Sequence, residues 1–350
     1  MKKNIVALAV LAASGAAFAQ VTITGSYIAG YEADTNKMVY GPTVVANATS
    51  KNAVQDSSGF GVDTSVINFT AKEDLGGGLS VTAVMGFDGL NRGGVGGGDS
   101  YVNLAGGFGA LKLSTARGAD YLSGGVSGVG GVGMDNKLFT ALAASDAIAY
   151  TSPAFGAFKL TVAHEEPAIT QVDRSTSQVG IGAGAAGSND AYGASDYQRR
   201  NTYTVGYSEG ALAGNLAYRT YDQTGTPTKA SDYNYMVRGA AAYDFGVAKV
   251  GFGFDQRKYV VDGGRLDTLV AVNVPFGAFS LGANYGSRVV SGKTAGNGTQ
   301  VGYSLVAAYA LSKRTSVSAN FASWDGANES TTVNWGARST YSSLLLAHSF

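Results

Sequence analysis

The chain has no cysteine in its 350 residues, which excludes a disulfide framework and any thiolate metal site. Proline is scarce, with 5 residues, and no Pro- or Ser-rich linker divides the sequence, so a single domain is expected. Charged residues are only 14% of the chain and balance to a formal net charge of zero, which argues against a nucleic-acid partner. No apolar run after residue 19 approaches the roughly 18 residues needed to cross a bilayer as a helix. What is abundant is glycine, at 51 residues, together with 20 tyrosines and 15 phenylalanines against 2 tryptophans. A Gly- and Tyr-rich chain of this length without helical periodicity reads as all-β.

The two ends add a compartment. Met1-Lys-Lys-Asn4 is a short basic start, Ile5 to Ala13 is apolar but too short to span a bilayer as a helix, and Ala17-Phe-Ala19 supplies small residues for a signal peptidase. Residues 1–19 are therefore expected to be a signal peptide, with cleavage between Ala19 and Gln20 and residues 20–350 forming the mature domain. Lys2 and Lys3 leave with the signal, so 23 basic residues remain against 25 acidic ones, a formal charge of −2. At the other end, Phe350, His348, Leu346 and Leu344 share one face of a terminal strand, while Ser349, Ala347, Leu345 and Ser343 share the other. An apolar face that runs to a terminal phenylalanine suits the closing strand of a bacterial outer-membrane barrel, with Phe350, His348 and Leu346 as its assembly terminus.

Between the ends, segments of about ten residues alternate apolar with polar or small side chains, the expected signature of a transmembrane barrel strand. Val21-Thr-Ile-Thr-Gly-Ser-Tyr27, Leu79–Phe87, Phe279–Tyr285 and Val301–Tyr309 all follow it. Tyr or Phe often caps the apolar side at a strand end, as in an aromatic girdle. Seven short turns separate these segments: Glu73–Gly78, Gly106–Gly109, Ser152–Gly156, Ser208–Gly214, Asp244–Gly246, Pro275–Gly277 and Leu311–Arg314. Eight longer polar stretches alternate with them, at about 32–63, 88–99, 118–146, 165–199, 222–232, 256–265, 286–299 and 325–333. Eight loops and seven turns predict a 16-stranded antiparallel transmembrane β-barrel, with short periplasmic turns and long external loops.

The chain resembles the trimeric general porins of Gram-negative bacteria, of the group found in Neisseria and the β-proteobacteria. The segments that carry this are Lys72-Glu-Asp-Leu-Gly-Gly-Gly-Leu79, Gly106-Gly-Phe-Gly-Ala-Leu-Lys-Leu113, Ala149-Tyr-Thr-Ser-Pro-Ala-Phe-Gly-Ala-Phe158 and His348-Ser-Phe350, in the family's order. The arginines that family members often carry near the end and before the Tyr-Thr-Ser-Pro turn are replaced here by Ser349, Ala347 and Ala149. The resemblance implies an outer-membrane general diffusion channel without a cofactor. It also implies a homotrimer set among outer-membrane lipid and lipopolysaccharide, passing ions and small hydrophilic solutes. It further implies that the third long loop folds into the barrel and narrows the pore.

That loop, Gly118 to Asp146, holds few charges: Asp120, Asp135, Lys137 and Asp146. Its three acids are the candidate constriction residues. Alternation places Lys112, Arg219 and Arg238 on the lumen side of their strands, with Arg117 at the root of the loop. A charge facing lipid at mid-bilayer costs about 2–4 kcal/mol, whereas in a water-filled lumen it is cheap. Close opposing charges predict weak selectivity, leaning to anions. A dense basic ladder or an aromatic slide would instead mark a substrate-specific channel, and neither is evident in the sequence. A secreted β-rich adhesin or lectin is the third reading, and it predicts internal repeats and no terminal Phe strand.

No catalytic constellation is present, and no enzyme activity is expected. His164-Glu-Glu166 places its carboxylates adjacent, not at ligand spacing, so no metal is expected there. Gly124–Gly133 lacks the Gly-Lys-Ser/Thr ending of a phosphate-binding loop.

Overall fold

The structure, a computed structural model, describes residues 20–39, 53–91, 94–116, 138, 145–167, 199–222, 233–292, 298–325 and 338–350. Within them the strands run in chain order as an antiparallel meander. β1 (Gln20–Val39) and β2 (Ala53–Gly76) are the longest. β3 (Leu79–Asn91), β4 (Gly94–Gly106), β5 (Gly109–Ala116), β6 (Ser145–Thr151), β7 (Phe158–Pro167) and β8 (Arg200–Glu209) follow. Then come β9 (Leu212–Tyr221), β10 (Tyr233–Asp244), β11 (Lys249–Tyr259), β12 (Gly264–Phe276), β13 (Phe279–Ser291), β14 (Gly298–Ala310), β15 (Thr315–Trp324) and β16 (Ser339–Ser349). Each strand pairs with its chain neighbours, and β1 pairs with β16, so the sheet closes into the expected 16-stranded barrel. Closure leaves no row of unpaired amides facing lipid.

Hydrogen bonding at the seam reaches the last residue. The Phe350 amide donates to the Gly25 carbonyl at 3.0 Å, and the Gly25 amide donates to the Phe350 carbonyl at 3.0 Å. Gly25 is needed there because a Cβ on it would strike the Phe350 ring. Gly109 illustrates the turns: its φ is 109°, and a side chain would meet the Thr151 carbonyl of the next strand.

All seven expected short turns join strands at one end of the barrel. The eight opposite connections exist, but several are much shorter than the polar stretches suggested. β3 and β4 are separated by residues 92–93 alone, β11 and β12 by 260–263, and β1 with β2 extends well into 32–63. The reason is physical. Alternation marks a strand only where one face meets lipid and the other water. Above the apolar band both faces meet water, so the ladder continues without its pattern.

Directly paired residues share a face, and the register keeps two sets of side chains apart around the whole circumference. The outer set is apolar and exposed, with Val102, Leu113, Val162, Phe252, Leu281 and Leu344 as examples. The inner set carries most of the Asn, Thr, Ser and ionised residues. This inversion of a soluble protein's plan is what a lipid exterior and a wet interior demand.

Candidate functional site

Six consecutive strands each place one arginine on the inner face: Arg200 on β8, Arg219 on β9, Arg238 on β10, Arg257 on β11, Arg265 on β12 and Arg288 on β13. Each is less than a tenth exposed, as are the three carboxylates among them, Glu165, Asp255 and Asp267. Register explains the clustering. Arg238, Asp255, Asp267 and Arg288 lie directly opposite one another across β10 to β13, and Arg257 faces Arg265 in the next row.

The acids are shared. Glu165 on β7 sits 3.1 Å from Nε of Arg200 and accepts from Nη2 of Arg219 at 2.6 Å. Thr202 completes this group, accepting from Nε of Arg219 at 2.8 Å and donating to Glu165 at 3.0 Å. Asp255 accepts from Arg238 Nε at 2.7 Å and from Arg257 Nε at 2.9 Å. Asp267 is gripped by Arg288 through two parallel bonds of 2.8 and 2.9 Å, with Arg265 at 3.5 Å. Such two-pronged bonds fix the guanidinium plane as well as its charge. Among the described residues of this wall, six cations meet three anions. Above it, Tyr233 stacks on Tyr259 with ring centroids 5.7 Å apart and lies 5.2 Å from the Arg257 guanidinium carbon.

The facing wall differs in sign. Glu32 and Asp34 on β1 and Asp88 on β3 occupy inner positions, paired with Ser343, Tyr341 and Val66. Strands β1 to β3 lie about half a turn from β9 to β11, so the lumen has a basic and an acidic side. Lys112 on β5 also lies on an inner row, 4.5 Å from the Tyr101 ring centre.

Leu138 belongs to the long connection between β5 and β6, yet it is 5% exposed. It packs in one apolar cluster with Leu269, Ala271, Ala322 and Trp324, flanked by Ala240 and Tyr341. Every one of those partners is on an inner row of β10, β12, β15 or β16, far around the barrel from the roots of the connection. The third connection therefore enters the lumen at Leu138.

Of the residues singled out in the sequence, Lys112, Arg219 and Arg238 lie on inner rows. Asp146 lies inside β6, across from Thr115 and Glu166, in the outward row of Ile148 and Tyr150 and not in the connection. Arg117, Asp120, Asp135 and Ala19 fall outside the described residues, and Gln20 is the first residue of β1. The His164-Glu-Glu166 run is split by alternation: Glu165 points into the lumen, while His164 and Glu166 face out, their Nε2 and Oε1 atoms 3.6 Å apart. The basic ladder was not evident in the sequence because Arg200, Arg257, Arg265 and Arg288 lie at or near stretches read as loops. A signal existed nonetheless: Arg200, Arg219, Arg238 and Arg257 recur every nineteen residues.

The sequence matches the family described as Gram-negative porin over residues 6–265 and 204–343. It is 28% identical to outer membrane porin protein 32 of Delftia acidovorans, across 92% of this chain and 89% of the relative. The fold resembles the anion-selective porin from Comamonas acidovorans with a TM-score of 0.68, at 20% identity, over 95% of this chain and all of that one. It also resembles the trimer form of OmpT, an outer membrane protein of Vibrio cholerae, with a TM-score of 0.62 at 13% identity, over 95% and 99% of the two chains. A closed barrel, apolar outside and charged within, thus meets a family match spanning almost the whole sequence: the chain belongs to the Gram-negative porins and is a general diffusion porin of the outer membrane.

Proposed function

We propose that this porin favours anions, and that the arginine wall of β8 to β13 is the cause. The observation that carries the reading is one inner arginine per strand over six strands, against three carboxylates among the described residues of that wall. Arg219 and Arg238, with Lys112, act as pore-wall basic residues in this reading. Glu32, Asp34 and Asp88 on the other side give the lumen a transverse field that orders water and separates ion paths. The relative from Comamonas acidovorans is itself called anion-selective. Asp120 and Asp135 remain candidate constriction acids, with Arg117 at the root of their loop, and no catalytic chemistry or cofactor is assigned.

Reversal potentials in a salt gradient test this. Arg219→Gln combined with Arg238→Gln should shift the potential toward cations. A wild-type pore that is already cation-selective overturns the reading. The second reading, a channel for a preferred anionic solute, is favoured by the same ladder; it requires one organic or inorganic anion to block chloride current at low concentration.

Three further assignments complete the proposal. Residues 1–19 are a signal peptide removed before Gln20, a reading supported by the basic start, the short apolar run and the small residues of Ala17-Phe-Ala19. The working unit is a homotrimer, a reading supported by the apolar outer surface across the seam at Leu344, Leu346, Tyr27 and Tyr31. Lipopolysaccharide surrounds its outer half.

A further inference from the structure

We propose that the outer face of β3 to β7 carries a docking site for lipopolysaccharide. An acyl chain lies in a groove there, and the phosphorylated sugar is held at its upper end by Arg199, His164 and Asn201. The inference rests on the reading that lipopolysaccharide surrounds the outer half of the barrel, and gives it a place. The groove measures about 650 Å³ and is lined chiefly by outward side chains. Register sets its polarity. Ala83, Val102, Leu113 and Ile148 pair directly in one outer row, which continues through His164 to Asn201. A second row starts at Met85 and runs through Ser100 and Thr115 to Asp146 and Glu166. Both rows turn from apolar to polar on their way to β7. Strands tilt in a closed barrel, so rows that cross them climb towards one rim. Asp146 is the second residue of β6 and Glu166 the last but one of β7, so the polar end lies beside the long external connections. A charge facing lipid costs about 2–4 kcal/mol at the midplane and about 0–1 kcal/mol near the interface. The change of polarity therefore marks the boundary between acyl chains and headgroups in the outer leaflet, and the groove crosses it.

The upper end is a hydrogen-bonding cluster of both signs. Oε1 of Glu166 lies 3.3 Å from Nε of Arg199 and 3.6 Å from Nε2 of His164, and Nδ1 of His164 is 2.8 Å from Oδ1 of Asn201. About half of each of the Arg199, His164 and Glu166 side chains stays exposed, so they can bind a headgroup while holding one another. Arginine suits phosphate, carboxylates accept from sugar hydroxyls, and asparagine both donates and accepts. Phosphatidylethanolamine offers a phosphate without sugar hydroxyls. The outer-leaflet glycolipid offers both, beside acyl chains that fit exposed Val102, Leu113 and Ile148. The cluster on β6 to β8 also lies several strands from Tyr27 and Leu344, where the protomers are placed in contact, which favours lipid over a second copy.

Lipid retention by the full-length porin tests this. Delipidated protein in detergent, offered lipopolysaccharide or phosphatidylethanolamine, should keep the first through washing and release the second. Arg199→Glu at the headgroup end and Val102→Trp, which fills the groove, should each weaken retention about tenfold. Val270→Trp, of the same bulk on the outer face of β12, should leave it unchanged. Heat-modifiable migration checks that each variant is folded. Because the chain lacks cysteine, Thr115→Cys supplies a second measurement with a single thiol in the groove, independent of whether the other variants assemble. That thiol should react several-fold slower with a maleimide once lipopolysaccharide is added, and an unchanged rate overturns the site. Retention that is undiminished in both Arg199→Glu and Val102→Trp overturns it as well, and equal retention of phosphatidylethanolamine overturns the glycolipid. Loss of the oligomer in Val102→Trp with lipid retention intact would give the groove to a second copy of the chain and overturn the proposal. Wild-type porin that keeps no lipopolysaccharide at all would remove the broader reading too, so the two failures are told apart.

Discussion

Asp267 concentrates the energetics of the wall in one side chain. It is wholly buried, accepts two bonds from Arg288 and stands beside Arg265. Burying either arginine without it leaves a desolvated cation, and breaking a buried pair in this way costs on the order of 3 kcal/mol. Asp267→Asn should therefore lower the temperature at which the barrel unfolds in SDS. The same substitution removes one of three acids from a wall of six arginines, so reversal potentials should shift further toward anions. A variant that loses stability with no change in selectivity would assign the Arg265–Asp267–Arg288 group to scaffolding alone. Removing an arginine reverses the electrical sign but keeps the structural penalty, which is why paired readings are needed at each position.

The closing strand shows how far one element can be read before the fold is known. Its alternation, from Leu344 to Phe350, states which face meets lipid, and the register with β1 places Leu345 and Ser343 inside as that pattern requires. Because the last amide and carbonyl both pair with Gly25, deleting Phe350 removes a pair of seam hydrogen bonds and an aromatic anchor at the rim. Folded porin in the outer membrane should fall while export across the inner membrane continues; undiminished levels of heat-modifiable protein would remove the terminus from any role in assembly. Six of the seven turns were legible for a similar reason, since tight hairpins favour glycine, and only Leu311–Arg314 lacks it: at Gly109, φ is 109° and the neighbouring carbonyl excludes a side chain. Replacement by valine there should cost at least about 1–2 kcal/mol, visible as a lower unfolding temperature. The upper halves of the strands were not legible, because lipid no longer enforces a pattern above the apolar band. That is where Arg265, Arg288 and most of the ladder sit. Alternation identified Lys112, Arg219 and Arg238 because Leu111, Leu113, Tyr218 and Val237 flank them; Asp255 and Asp267 gain meaning only from register, which brings them opposite each other across two strands.

The barrel as a whole turns these local pairings into a field. Basic strands β8 to β13 face acidic positions on β1 and β3, so a solute entering the lumen meets a transverse gradient besides the net positive charge of one wall. Three such barrels in a trimer should run as an SDS-resistant oligomer that collapses to monomer on boiling, and should insert in bilayers as triplets of equal conductance steps; single unit steps would reject the trimer. Selectivity from this field has a distinctive dependence on salt. Most wall charge is tied in ion pairs, so the excess acts on passing ions over several ångströms and not by direct ligation. The Debye length is about 30 Å at 0.01 M salt, wider than a lumen of this strand number, and about 3 Å at 1 M, narrower than it. At low salt the surplus of arginine should therefore command the whole cross-section, and anion preference should be strong. At 1 M each arginine is screened from the centre of the pore, and preference should fall towards that of the ions' own mobilities. Reversal potentials at a fixed concentration ratio, repeated from 0.01 to 1 M, measure this directly. A preference that does not change across that range would mean anions are chosen by contact at a narrow point, and not by the field of the wall.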